Sequence, residues 1–272
     1  MLYCLPMIID GREIAAQIYD GLRVLIDKQR NRPHLTVFTC APNFETRKYL
    51  TLKKKKAEEV GLGLNVIEFM PDIKTEEIIQ SIKQSVNTAD GIVIQLPLPK
   101  HIDTKAVLAA VPENLDVDAV HYIGEEAVVL PPVVGAINAI AEHHEVSFTN
   151  KNVVIVGKGR LVGAPSSLWA KKMGADVTVI DKDTTNTDEI LTSADIIISG
   201  AGVPGLITPE KIKDGVIIFD AGTSEEGGML RGDFASDCAN KAALFTPVPG
   251  GIGPVTIAIL LRNLVKLSSV TD

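Results

Sequence analysis

Val153-Val-Ile-Val-Gly157-Lys158-Gly159-Arg160-Leu-Val162-Gly163 is a short apolar run that breaks into closely spaced glycines and then into a helical pattern over residues 165–173. Strand, glycine turn and helix in that order are the setting in which such a turn reads as a dinucleotide fingerprint. Glycine at 157 and 159 lets the backbone turn tightly and come near a ligand, and the helix that follows offers its positive end to a pyrophosphate. The spacing is G-x-G-x-x-x-G, one residue longer than the usual form. Downstream, a strand at 177–180, a helix at 187–193 and strands at 196–199 and 216–220 continue the alternation. The pattern predicts a Rossmann-like, doubly wound nucleotide-binding domain.

Toward the N-terminus the same alternation recurs. Apolar residues at three- and four-residue spacing predict a helix over 12–29, followed by a strand at 35–40, a helix at 46–60, a strand at 64–69, a helix at 75–87 and a strand at 91–96. This predicts a second parallel sheet with helices on its faces. A short helix is expected at 104–111, a loop at 112–121, a helix at 135–144 and an apolar helix at 257–267, with the domain change between about 120 and 150.

Composition narrows the function classes. At 272 residues, 46% apolar and 22% charged, the chain has ordinary globular composition. Its net charge of −7 leaves no basic excess to neutralise phosphates, so nucleic acid is not an expected partner. No run reaches the roughly 20 apolar residues of a membrane span. The apolar start, residues 1–9, lacks a basic leader and cleavage site, and reads as an edge strand or a disordered start. Cys4, Cys40 and Cys238 are odd in number and widely spaced, which fits neither a disulfide framework nor a zinc site. Adjacent His143 and His144 point about 100° apart on a helix, so no metal is expected. A reducing cytoplasm is the expected setting.

Two further stretches carry chemistry. Pro247-Val-Pro249-Gly250-Gly251-Ile252-Gly253-Pro254-Val-Thr256 packs three glycines and three prolines into ten residues. Such a stiff, side-chain-poor backbone suits a ligand wall or a rigid surface loop. Gly91-Ile-Val-Ile-Gln95-Leu96-Pro97-Leu-Pro99 is an apolar strand ending in one amide side chain, which puts Gln95 at a strand's carboxyl end, where open α/β sheets bind ligands. On the helix at 46–60, Tyr49 and Lys53 are four apart and share a face. Four consecutive lysines, 53–56, would otherwise read as a solvated face.

These stretches resemble the signature segments of the bifunctional methylenetetrahydrofolate dehydrogenase/methenyltetrahydrofolate cyclohydrolase family. The resemblance runs in the family's order from Ile9-Asp-Gly-Arg12 to the last helix. It implies an α/β protein of two domains with a cleft between them. Residues 1–122 with 255–272 would form a folate-binding catalytic domain, and 123–254 an NAD(P)-binding domain. Thr46, Tyr49, Lys53 and Lys55 match the family's S-x-x-Y-V-x-x-K-x-K motif, with Thr46 for serine and Leu50 for valine. The resemblance implies Lys53 as the principal catalytic residue, Tyr49 stacking on the folate, Gln95 bonding near Lys53, and Asp118 anchoring the pterin amino edge. A carboxylate suits that edge because it accepts two adjacent donors bidentately. Leu96, Pro97, Pro249, Gly250, Gly251, Ile252, Gly253 and Pro254 are implied as substrate contacts. Cofactor contacts are implied at Gly157, Lys158, Gly159, Arg160, Val162, Gly163, Asp181, Lys182, Ala201, Gly202, Gly222 and Thr223.

Several positions depart from the family. Gly-Arg-Ser is replaced by Gly157-Lys158-Gly159, which keeps a charge and loses the guanidinium fork and a hydroxyl. Asp181, 24 residues past Gly157, stands where the family carries a basic, polar run; an acid there bonds a ribose 2′-OH and repels a 2′-phosphate. That favours NAD over NADP, while Lys158, Arg160 and Lys182 pull the other way and Asp181 also suits a simple turn carboxylate. Leu115, Ala119 and Val120 replace Lys, Gly and Phe around Asp118, and Leu130-Pro-Pro-Val-Val-Gly135 replaces Pro-Cys-Thr-Pro-x-Gly. The implied chemistry is oxidation of 5,10-methylenetetrahydrofolate followed by hydrolysis of the methenyl cation to 10-formyltetrahydrofolate, in a homodimer. The alternatives are a monofunctional NAD-dependent dehydrogenase and a non-catalytic folate- or nucleotide-binding protein.

Overall fold

Strands buried on both faces need cover on both faces, and the two larger sheets of this protein have such strands at their centres, residues 35–40 in one and 153–156 and 196–199 in the other. A computed structural model describes residues 6–29, 31–124, 127–227 and 229–269. The chain begins with β1 (Met7–Ile8) and α1 (Gly11–Ile26), then β2 (His34–Cys40), α2 (Phe44–Glu59), β3 (Gly63–Phe69), α3 (Thr75–Ser85), β4 (Gly91–Ile94) and α4 (Thr104–Ala109). After α5 (Pro132–His143) come β5 (Asn152–Val156), α6 (Gly163–Lys172), β6 (Asp176–Ile180), α7 (Thr187–Ser193), β7 (Ile196–Ser199) and β8 (Ile217–Asp220). A hairpin of β9 (Ser224–Glu226) and β10 (Met229–Arg231), then β11 (Leu244–Phe245) and α8 (Ile252–Ser268), complete the order. Two compact units result, one of residues 1–16, 123–125 and 133–256, the other of 17–122, 126–132 and 257–272.

In the second unit a parallel sheet has the order β3-β2-β4. Leu35, Val37 and Phe38 of the central β2 are buried, as a middle strand requires. Phe38 joins Ile92 and Ile94 of β4, Ile78 and Ile82 of α3, and Val107 and Leu108 of α4 in one core. α2 starts two residues before the predicted 46 because the Asn43 side chain caps it, accepting from the Thr46 N–H at 2.8 Å.

In the first unit a parallel six-stranded sheet has the order β1-β11-β8-β7-β5-β6. The chain leaves β5 to β6 on one side and returns to β7 on the other, so the switch point lies at the carboxyl ends of β5 and β7. Val154, Val156, Ile197 and Ile218 pack with Leu191, Phe234 and Phe245 beneath it.

Three expectations change. Residues 6–16 group with the glycine-turn unit rather than with 17–122, because β1 is an edge strand on β11: Met7 N–H donates to Ala243 O at 3.0 Å and Ile9 N–H to Phe245 O at 2.9 Å. The first five residues, with Cys4, lie outside the described residues. The last helix begins at Ile252 instead of 257, so Gly253 and Pro254 sit in its first turn, where a missing N–H costs nothing. α5 likewise begins on a proline, Pro132, three residues before the predicted start.

Candidate active site

Of the four consecutive lysines of α2, 53–56, only Lys53 is buried, with 4% of its surface exposed, together with Leu50 and Ala57 on the same face. Lys54 and Lys55 face solvent, and Lys56 pairs with Glu59 at 2.7 Å. Lys53 Nζ lies 4.7 Å from the centre of the Tyr49 ring, one turn earlier, and donates to Gln95 Oε1 at 3.0 Å. Gln95 follows β4, and its amide nitrogen donates to Leu96 O at 3.1 Å. Because an ammonium only donates and a carbonyl only accepts, the two bonds fix which way the amide points.

Burial lowers the Lys53 pKa, and the charge of Asp118 pushes it back up. The reverse holds for Asp118, raised by burial and pulled down by Lys53. Burial, then Asp118, then Tyr19 raise the Tyr49 hydroxyl. Lys53, Tyr49, Gln95 and Asp118 therefore form one cluster in the second unit. Burial that lowers an amine's pKa makes it easier to deprotonate.

The loop carrying Asp118 is held by groups that sequence reading did not single out. Asn263, buried on α8, donates to Val117 O at 3.0 Å and to Leu130 O at 2.8 Å. Asp116, also buried, accepts from His121 N–H at 3.2 Å, and burial pushes its carboxyl up to about 6. Ala119 adopts a left-handed φ of 49° in this loop.

Not every implied substrate contact sits in this cluster. Leu96 packs on the second unit's core and offers its carbonyl to Gln95. Pro249 to Pro254 belong to the first unit, where Gly250 O accepts from Gly11 N–H at 2.8 Å. A Cβ on Gly11 would lie 1.8 Å from Gly251 O, so part of the loop's bare backbone serves contact with the Asp10-Gly11 turn.

At the switch point of the first unit a cavity of about 300 Å³ is lined at the start of α6 by Gly159, Arg160, Leu161 and Val162, and after β7 and β8 by Gly200–Gly202 and Ala221–Thr223. Gly157 has φ 95°, open to glycine at little cost, and a Cβ on Gly163 would fall 2.0 Å from Gly157 O. Val162 gives α6 no side-chain cap, but the Ala164 N–H donates to Gly159 O at 3.0 Å and Pro165 has no N–H, so this end offers an anion chiefly its dipole. These features fit a dinucleotide. Leu161, Gly200 and Ala221 were not singled out as contacts, although the strand-end turns that carry the last two were legible.

Gly157, Lys158, Gly163, Asp181 and Lys182 do not line the cavity. Lys158 forms an ion pair with Asp181, whose other carboxylate oxygen accepts from Thr184 Oγ1 and Asp183 N–H, each at 3.1 Å. Asp181 is thus both a turn carboxylate and the ion-pair partner of Lys158.

Residues 9–118 match the catalytic domain of the tetrahydrofolate dehydrogenase/cyclohydrolase family, and residues 131–271 match its NAD(P)-binding domain. The bifunctional protein FolD of Mycoplasmopsis synoviae is 35% identical over 276 residues, covering 96% of this chain and 99% of that one. The chain belongs to the tetrahydrofolate dehydrogenase/cyclohydrolase family. Solved structures agree. A bifunctional FolD methylenetetrahydrofolate dehydrogenase/cyclohydrolase from Campylobacter jejuni superposes with a TM-score of 0.93 at 30% identity, covering 98% of this chain and 99% of that one. The Trypanosoma brucei enzyme, complexed with NADP cofactor and inhibitor, gives 0.91 at 30% identity, with 98% of each chain covered. As in the family, the catalytic domain precedes the NAD(P)-binding domain, and among the described residues no helix is long and apolar enough to cross a membrane.

Proposed function

We propose that this chain oxidises 5,10-methylenetetrahydrofolate with NAD(P)+ to the 5,10-methenyl cation and hydrolyses that cation to 10-formyltetrahydrofolate, with Lys53 as the proton-handling group. The observation that carries this reading is the buried Lys53 amine bonded to Gln95 beside Asp118 and Tyr49. When bound at the α6 turn, the nicotinamide supplies the hydride acceptor. In the hydrolysis, neutral Lys53 takes a proton from the water that adds to the methenyl carbon. The returned proton goes to the departing ring nitrogen as its bond to that carbon breaks, and the hydroxyl proton of the adduct leaves to solvent as the formyl C=O forms. Gln95 holds the amine in place, Tyr49 provides a ring face for the folate, and Asp118 accepts the pterin amino edge.

NAD is the preferred cofactor in this reading. Asp181 holds Lys158 in an ion pair and presents a carboxylate where a 2′-phosphate would be repelled. A cytoplasmic homodimer paired through the nucleotide unit completes the proposal and rests on the family resemblance. Initial rates of cofactor reduction with 5,10-methylenetetrahydrofolate, run in parallel with NAD+ and NADP+, test it. Faster NAD+ reduction is expected, faster NADP+ reduction overturns the preference, and no reduction with either overturns the dehydrogenase.

A further inference from the structure

Loops that leave a sheet lose their ladder partners, and their buried N–H groups must find others. The two loops that wall the cavity after β7 and β8 find theirs in a pair of carboxylates, Asp233 and Asp220, each with 1% of its surface exposed. Asp233 Oδ2 accepts from Ser199 Oγ at 2.5 Å and Ala201 N–H at 2.7 Å, and Oδ1 from Val203 N–H at 2.8 Å. Asp220 Oδ1 accepts from Gly222 N–H at 3.0 Å and from the N–H of Asp233 at 3.1 Å, and Oδ2 from Phe234 N–H at 3.0 Å. Asp220 is fixed in turn by its own N–H, which donates to Thr246 Oγ1 at 2.7 Å.

The bonds form a relay. Asp220 ties the β8 loop to the backbone of Asp233, and Asp233 ties the β7 loop through its side chain. Gly222 has an ordinary φ, and its lack of a side chain answers to this relay: a Cβ there would lie 2.1 Å from the Asp233 carboxyl carbon. Neither aspartate lines the cavity.

We propose that Asp233 is a positioning residue for the dinucleotide, setting the Gly200–Gly202 wall of the cavity from behind through the N–H groups of Ala201 and Val203, with Asp220 as its support. Because the N–H groups of Ala201 and Val203 are taken by Asp233, they are not offered to a ligand at this wall. The phosphates are left to the dipole at the start of α6. This deepens the proposed function and rests on that reading of the cavity.

The test measures NAD+ and NADP+ binding by calorimetry, with steady-state KM and kcat, on the full chain carrying Asp233→Ala, Asp233→Asn or Ser199→Ala, alongside near-UV circular dichroism. Asp233→Ala is expected to raise Kd and KM for the preferred cofactor at least tenfold, with kcat at saturation and KM for 5,10-methylenetetrahydrofolate within threefold of the parent. Asp233→Asn, which keeps one acceptor oxygen, is expected to recover part of the loss, and Ser199→Ala, which spares both N–H bonds, to cost threefold or less. Should Asp233→Ala not fold, Asp233→Asn carries the test. A folded variant at 233 with cofactor Kd within twofold of the parent overturns the proposal, as does a parallel rise in both KM values. A parent that binds neither dinucleotide overturns the functional reading with it.

Discussion

Gln95→Glu should separate the two activities through Lys53. The substitution keeps the side-chain length and replaces the Nε2 donor with a second carboxylate oxygen, while the first oxygen stays 3.0 Å from an amine that is only 4% exposed. Two opposite unit charges about 4 Å apart attract by about 4 kcal/mol at an effective dielectric near 20. That attraction opposes the burial that lowers Lys53 in the parent. A third of it, about 1.4 kcal/mol, already makes the amine tenfold harder to deprotonate. Hydrolysis, which uses the neutral amine, should therefore fall at least tenfold near pH 7.5 and recover as pH rises, its profile displaced to the alkaline side. Gln95→Met, which removes the bond without adding charge, should leave the profile where it is or move it to the acid side. The assay follows loss of methenyl absorbance across pH, corrected for the uncatalysed reaction, with dehydrogenation followed separately through cofactor absorbance. Dehydrogenation should change less than threefold, since ring alignment carries it. An unmoved hydrolysis profile, or equal loss of both activities at every pH, refutes Lys53 as the proton acceptor.

Lys53→Met should cost hydrolysis about 10²- to 10⁴-fold, the usual contribution of general acid–base catalysis, while some dehydrogenation survives; loss of dehydrogenation alone contradicts the assignment. Asp181→Ser releases Lys158 from its ion pair and removes the repelling carboxylate, so the ratio of kcat/KM for NADP+ to that for NAD+ should rise about tenfold, equivalent to roughly 1.4 kcal/mol; an unchanged ratio refutes the selector. Ala119→Gly relieves a left-handed residue that costs about 1–2 kcal/mol, less what glycine adds to unfolded-chain entropy, and should stabilise by roughly 0.5–1 kcal/mol in denaturant melts; a lower midpoint at unchanged slope contradicts the strain. Burial raises Asp220 to about 7, so the folded state holds a proton that the unfolded chain releases near pH 4. Its contribution to stability is greatest below pH 4 and is lost as pH rises to 7, by at most about 4 kcal/mol. Relative to Asp220→Asn, the parent should lose stability over that window, and parallel curves would count against it.

Much of the site was legible because it lies in local patterns. The four-residue spacing of Tyr49 and Lys53 put them on one helix face, and the apolar run to Ile94 put Gln95 at a strand end. Burial separated Lys53 from its three neighbours, and no pattern of four identical residues contains that information. Asn263 was hidden for a related reason: it lies 146 positions from Val117, and nothing local marks an amide in an apolar helix as a clasp for a distant carbonyl.

The sequence by itself determined the alternation of strands and helices, the glycine turn opening α6, the family, and the residue types available for proton transfer and cofactor choice, since each follows from periodicity or from short-range backbone chemistry. Tertiary structure alone decided that β1 belongs with β11, that Lys158 is spent on Asp181, and that Asp220 and Asp233 brace the cavity. Those outcomes depend on which buried polar groups meet after the sheets form, and their satisfaction couples residues with no relation along the chain.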